Sequence, residues 1–225
     1  QEAPTQLQIK SVIALYSNGQ AQEALDSVEA LINDYPKEAL LHNICGACYA
    51  GLGQLDTAVK SYEQAIAIKP DYTEVHNNLG VALQNLRQLD TAVKSYQQAL
   101  ALNPNYTEAH NNRGNALKEL GQFDEAVKSY EKAIAIKPDY AEAHNNLGNV
   151  FRDLDQLDAA VKSYGKAIAI NPVYAVAHYN LGIVLKELGQ RDTAVKSFGE
   201  AVAIKPDYVK AHHSLSYLKK HTASD

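Results

Sequence analysis

A step of 34 residues runs through this sequence and constrains its fold more than any other feature. Three sets of positions keep it: Pro70, Pro104, Pro138, Pro172 and Pro206; Ala58, Ala92, Ala126, Ala160 and Ala194; Tyr62, Tyr96, Tyr130, Tyr164 and Phe198. A fixed period of this length is typical of repeat architectures, in which each copy is one supersecondary unit. It predicts five copies, over 39–72, 73–106, 107–140, 141–174 and 175–208. A more divergent copy covers 5–38, and half a copy covers 209–221.

The first part of each copy has the apolar spacing of a helix. In the fifth copy, Leu147, Val150, Phe151 and Leu154 recur at i, i+3, i+4 and i+7, which places them on one helical face. A turn follows, and its place suited to a left-handed backbone is held by Gly53, Gly121 and Gly189, and elsewhere by Arg87 and Asp155. We expect Asp158 to cap the second helix of that copy and Pro172 to end it.

Helix pairs of this kind cannot bury their apolar faces alone, so neighbouring pairs must stack. Small residues recur where stacked helices would approach closely, at Gly46, Gly80, Gly114, Gly148 and Gly182 on the first helices. The sequence therefore predicts an all-α protein, a solenoid of six helix–turn–helix repeats followed by a capping helix. We expect one domain over residues 1–225.

The pattern of Leu-Gly, Ala, Tyr, Ala and Pro at this period resembles the tetratricopeptide repeat, and the resemblance covers residues 5 to about 221. It implies a right-handed superhelix whose first helices line a concave groove for peptides or partner proteins. One place departs from the family. The fourth residue of the repeat is often aromatic in the family, whereas in this chain it is histidine: His42, His76, His110, His144, His178 and His212. Since no two of these lie at i, i+3 or i+4, we expect packing residues rather than metal ligands.

Asparagines are concentrated on the predicted first helices, although asparagine is a poor residue for a helix interior. Asn43, Asn77, Asn111 and Asn145 share the fifth place of their copies; Asn78, Asn112, Asn146 and Asn180 share the sixth; Asn115 and Asn149 share the ninth. The resemblance places the fifth, ninth and twelfth residues in the groove. It implies a partner-binding surface of these asparagines from the third copy onward, with Lys118, Arg152, Lys186 and Tyr179.

The sixth-place asparagines form a ladder similar to that of the superhelix of O-linked N-acetylglucosamine transferase, where such amides hold an extended peptide. An amide can donate to a peptide carbonyl and accept from a peptide N–H. The same amides could instead hydrogen-bond between adjacent first helices, and the sequence leaves both alternatives open. The ladder breaks at Lys10, Ile44 and Ser214, so a peptide held by it would lie over the central copies.

Two other sets of residues invite a chemical role. Cys45 and Cys48 form a CxxC pair, but they stand where other copies have leucine, alanine or valine, so we interpret them as buried packing residues. Tyr72, Tyr106, Tyr140, Tyr174 and Tyr208 end the loops between copies. Without a basic groove beside them, we expect them to fill the space between consecutive repeats rather than to stack on bases.

The function predicted is a non-catalytic protein–protein interaction scaffold that holds a partner segment or peptide in its groove. We expect no cofactor and no metal site. The net charge of −5 and isoelectric point near 5.9 argue against nucleic-acid binding, and no apolar run is long enough for membrane insertion. Two alternatives stay open: a substrate-recruiting region of a larger glycosyltransferase or sulfotransferase, and self-association through the N-terminal repeat. Sparse cysteines suggest a reducing, cytoplasmic location.

Overall fold

A computed structural model describes residues 3–222, with side chains to Lys220. Over that range the backbone forms thirteen α-helices and no strand. They are α1 (Gln6–Ser17), α2 (Ala21–Asp34), α3 (Ala39–Gly51), α4 (Leu55–Ile68), α5 (Thr73–Asn85), α6 (Leu89–Leu102), α7 (Thr107–Glu119), α8 (Phe123–Ile136), α9 (Ala141–Asp153), α10 (Leu157–Ile170), α11 (Ala175–Glu187), α12 (Arg191–Ile204) and α13 (Val209–Thr222). The prediction of an all-α repeat protein is confirmed.

The chain divides into two compact units, one ending at Leu120 and the other beginning at Gly121. In the first unit, α1 to α7 pack as successive neighbours, each helix against the next along the chain. In the second unit, α8 to α13 pack in the same way. Within each unit the solenoid arrangement of stacked helix pairs is therefore present. One domain over the whole chain stays a prediction.

The turns inside the repeats have the left-handed backbone that the sequence predicts. Gly53, Gly121 and Gly189 have φ of 75°, 74° and 74°, and Arg87 and Asp155 adopt the same conformation with φ of 62° and 59°. The backbone continues from this residue through a single glutamine into the second helix.

That short connection overturns one prediction. The residue that precedes α10 is Gln156, whose side chain makes no capping hydrogen bond. Asp158 is the second residue of the helix, so it lies in the first turn. There its negative charge interacts favourably with the positive end of the helix dipole, and its side chain does not cap a backbone N–H.

The predicted close approach at the first-helix glycines is confirmed, and it involves the aromatic ring of the second helix. A β-carbon added to Gly46 would lie 2.6 Å from Tyr62, and one added to Gly80 would lie 2.5 Å from Tyr96. Gly148 and Gly182 have equally short approaches to Tyr164 and Phe198. Each of these rings belongs to the second helix of a repeat and is buried against the glycine on the first helix of the same repeat. The glycine and the aromatic residue therefore pack against each other within one copy.

Candidate partner-binding surface

The fifth-place asparagines lie deeper than an exposed groove residue would. Asn77, Asn111 and Asn145 have 7%, 1% and 3% of their surface exposed. In the predicted partner-binding surface these three side chains therefore offer little area to a partner. Whether they contact one stays a prediction.

The sixth-place amides hydrogen-bond to the fifth-place amides of the preceding repeat. In the first unit, Asn78 Nδ2 donates to Asn43 Oδ1 and Asn112 Nδ2 donates to Asn77 Oδ1, both at 3.1 Å. In the second unit, Asn180 Nδ2 donates to Asn145 Oδ1 at 3.0 Å. Each pair is 35 residues apart, one more than the period. Of the two alternatives left by the sequence, bonding between first helices is therefore present.

Asn149, a ninth-place residue, belongs to a wider network in the second unit. Its Oδ1 accepts hydrogen bonds from the Tyr164 hydroxyl at 2.8 Å and from Asn180 Nδ2 at 3.3 Å. Asn145 in turn donates to Asn146 Oδ1 at 3.5 Å. This network joins the first helices of the fifth and sixth copies and the second helix of the fifth.

The remaining predicted site residues differ in their exposure. Asn115, Lys118 and Arg152 are half-buried, and Lys186 is exposed with its Nζ 5.8 Å from the centre of the Tyr217 ring. Tyr179 lies in an aromatic cluster, 5.6 Å from the ring of Phe198 and 5.0 Å from that of Tyr208. Tyr179 therefore packs within the second unit and replaces the fifth-place amide there.

The repeated histidines hold the loops between helix pairs. From the second copy onward, each of the six fourth-place histidines has its Nε2 2.7–3.0 Å from the carbonyl of the proline six residues earlier, beginning with His42 and Pro36. Because a carbonyl only accepts, the histidine donates. The prediction of packing residues missed this bond. The constant spacing of six residues from proline to histidine was the signal for it.

The two cysteines are free thiols buried in the core of the first unit. Burial raises the pKa of Cys45 to about 11, although a hydrogen bond from Ser61 acts in the opposite direction. Burial also raises the pKa of Cys48. A thiol so rarely ionised at neutral pH is a poor nucleophile, and the interpretation as packing residues is confirmed.

A polar network that the sequence did not predict lies between the third and fourth copies. The Tyr96 hydroxyl donates to Gln84 Oε1 at 3.0 Å, and Gln84 Nε2 donates to Glu119 Oε1 at 2.6 Å. Arg87 donates to the other oxygen of Glu119. Arg87 thus has the left-handed backbone of the turn, and its side chain forms an ion pair with the next repeat.

Two properties of the described residues bear on metal binding and on membrane insertion. Among the described side chains, from residue 3 to residue 220, no three His, Cys, Asp or Glu come together as ligands for a metal ion. Among the described helices, none has the length and apolar character needed to cross a bilayer.

Comparison with protein-family models decides the family. A model described as TPR repeat matches residues 46–86, 88–121, 114–154 and 148–189, and one described as tetratricopeptide repeat matches 175–208. The chain belongs to the tetratricopeptide repeat family. The narrower likeness of its asparagine ladder to that of O-linked N-acetylglucosamine transferase stays a prediction.

Solved structures with the same fold include other tetratricopeptide repeat proteins. PilW, a widely conserved type IV pilus biogenesis factor, is 24% identical with a TM-score of 0.85, over 94% of this chain and 100% of PilW. MamA is 27% identical with a TM-score of 0.66, over 73% and 96%. YrrB, described as a TPR protein with an unusual peptide-binding site, is 19% identical with a TM-score of 0.64, over 83% and 96%. Comparison with curated proteins gives no match.

Proposed function

We propose that this tetratricopeptide repeat protein is a non-catalytic interaction module that binds an extended partner segment along its first helices. The observation that supports this proposal is the hydrogen bonding of two sixth-place amides. Asn78 and Asn112 are half-buried, and each donates one N–H to the preceding repeat. Among the described residues neither Oδ1 accepts a hydrogen bond, so each amide has a fixed orientation and a remaining acceptor. Preorganised groups bind at a lower entropic cost.

Hydrogen bonds to the ladder need support from apolar contacts. A net hydrogen bond contributes about 0.5–1.5 kcal/mol, whereas micromolar binding needs about 8 kcal/mol. In the first unit, Ile13 and Tyr16 of α1 are exposed apolar side chains that could supply part of the difference. YrrB is described as having a peptide-binding site, and its likeness to this chain supports the fold that the proposal requires.

Two matched pairs of substitutions separate a ligand contact from a structural one. Asn78→Ala/Asn112→Ala and Asn43→Ala/Asn77→Ala remove the same two hydrogen bonds between repeats, but only the first removes the ladder amides. Peptides selected from a random display library on the wild-type protein serve as probes, with affinities measured by calorimetry. We expect the first variant to bind about 30-fold more weakly, the effect of two lost hydrogen bonds.

The second variant should bind within about threefold of the wild type if its fold is retained, which circular dichroism checks. Equal losses in both variants, or none in either, would show that the ladder does not contact the peptide. Recruitment of substrates for a larger enzyme of glycosyltransferase or sulfotransferase type would use the same surface, and the sequence of the whole gene decides that alternative.

Exposed apolar surface on the first repeat favours self-association as a second candidate. Leu7 is 75% exposed beside a cavity of about 320 Å³ that Val12, Leu15 and Leu31 also line. Light scattering over a concentration series tests this candidate. A mass that rises with concentration, and does not rise in Leu7→Asp, supports it; a constant monomer mass rejects it.

A further inference from the structure

A cavity of about 310 Å³ in the first unit lies beside the loops that precede α5 and α7. Its walls include two tyrosine rings, Tyr72 and Tyr106, and two carboxylates, Asp71 and Glu74. Both carboxylate residues are exposed and both rings are half-buried. The cavity thus combines aromatic faces with negative charge at a solvent-accessible place.

Glu74 acts on both rings. The pKa of Tyr72 is raised by burial and then by the charge of Glu74, while a hydrogen bond with Asn43 lowers it. The pKa of Tyr106 is raised by burial, then by Glu108 and Glu74. The negative charge of Glu74 thus contributes to the raised pKa of both tyrosines, and all three residues line the same cavity.

The chain already places a cation against one of these rings. Lys69, another wall of the cavity, has its Nζ 4.9 Å from the centre of the Tyr72 ring. A cation within about 6 Å of a ring centre is attracted by the ring's quadrupole. The Tyr72 face is therefore oriented so that an ammonium or guanidinium group can reach it.

The cavity adjoins the asparagine ladder, and the surrounding sequence is acidic. Glu74 precedes Asn78 by four residues, so both lie on one face of α5. Residues 1–120 contain thirteen Asp and Glu against eight Lys and Arg, whereas residues 121–225 contain thirteen of each. The net charge of −5 therefore comes entirely from residues 1–120, the sequence of the first unit.

We infer that this cavity binds the guanidinium group of an arginine in the partner segment, which would make the partner basic. The inference rests on the proposed function and adds the chemistry of the ligand. Arginine suits the cavity better than lysine because its planar group stacks on an aromatic ring and donates to carboxylates in parallel pairs.

The repeats supply a matched site and a natural control. At the boundary 68 residues further on, the chain again has Lys137, Asp139, Tyr140, Glu142 and Tyr174 at the corresponding places. At the boundary between the fifth and sixth copies, Val173 and Val176 replace the two acids, with Tyr174 and Tyr208 at the places of the two rings. Both valines are exposed, so acidic residues can be introduced there without disturbing the core.

Nuclear magnetic resonance titration with N-acetylarginine amide tests the inference, with N-acetylcitrulline amide as a neutral probe of nearly the same shape. We expect arginine to shift the backbone amides of residues 71–74 and of Asn103, Asn105 and Tyr106, and citrulline to bind about tenfold more weakly. Glu74→Gln should weaken arginine binding about fivefold, the effect of one partly exposed ion pair. Lys69→Gln, which removes the competing ammonium, should strengthen it.

Val173→Asp/Val176→Glu should create a new arginine site around Tyr174 and Tyr208. Equal shifts by the two probes, or arginine shifts spread over exposed acids such as Asp56 and Asp90, would overturn the inference. The small probes do not need the ladder, so this outcome is separate from that of the asparagine variants. If those variants lose peptide binding while the arginine probe gives no shift, only the inference about the cavity fails.

Discussion

Replacing Gly80 with alanine tests whether the first-helix glycine is required by the ring opposite it. The new β-carbon would lie 2.5, 2.7 and 2.9 Å from Cε1, Cδ1 and Cζ of Tyr96. That ring is completely buried, and its hydroxyl donates to Gln84 at 3.0 Å. The ring therefore cannot move away without losing its hydrogen bond or displacing the helix.

The expected cost follows from two opposing effects. Overpacking a filled core costs about 1–3 kcal/mol, and contact with three ring atoms favours the upper value. Alanine recovers about 1 kcal/mol because glycine is unfavourable inside a helix. The free energy of unfolding should therefore fall by about 2 kcal/mol. Gly165→Ala, on the exposed face of α10 with no atom within 4 Å of the new carbon, should instead raise it by about 1 kcal/mol.

Urea unfolding followed by far-ultraviolet circular dichroism measures both changes, since the chain has no tryptophan. A third comparison isolates the contact. Alanine at Gly80 should cost less in a Tyr96→Leu background, because the opposing ring edge is absent there. The reasoning is refuted if Gly80→Ala is as stable as the wild type while Gly165→Ala gains stability as expected.

Three further outcomes are expected, each measured by urea unfolding. His76→Phe keeps a ring but removes the donor to the Pro70 carbonyl at 2.8 Å, and should cost about 1 kcal/mol; no change would contradict a role for that bond. Asp155→Gly should gain up to about 1 kcal/mol, because φ of 59° strains a residue with a β-carbon. Because the folded pKa of Cys45 is raised, its contribution to stability is complete below about pH 9 and is lost as pH rises towards about 11. Stability of the wild type should therefore fall more steeply over that window than stability of Cys45→Ala; parallel curves would contradict it.

The repeat period was sufficient to predict the helices and their turns, because both depend on local spacing. Arg87 and Asp155 could be assigned a left-handed backbone because glycine holds the same place in neighbouring copies. The failure at Asp158 also has a local cause. A period locates the turn but does not determine how many residues connect it to the helix, and here one glutamine suffices.

The candidate site was less predictable, because it depends on how each first helix is rotated about its axis. Asn111 is buried and Asn112 is half-buried because of that rotation, which the spacing of residues along the chain does not determine. The pairing of Asn112 with Asn77 also spans 35 residues rather than 34, so comparing equal places in successive copies did not show it. The cavity at Tyr72 and Tyr106 needs two loops from different copies, which sequence order alone does not bring together.

The amide link between first helices bears on how such an array changes in length. The third copy carries both halves of the link, since Asn77 accepts from the copy after it and Asn78 donates to the copy before it. Duplicating a copy of this type adds a donor and an acceptor together, so the inserted unit joins its neighbours without further substitutions. The second copy has only the acceptor, because Ile44 replaces the donor, and the sixth has only the donor, because Tyr179 replaces the acceptor. Gain or loss of whole repeats by recombination is therefore least disruptive between these two copies.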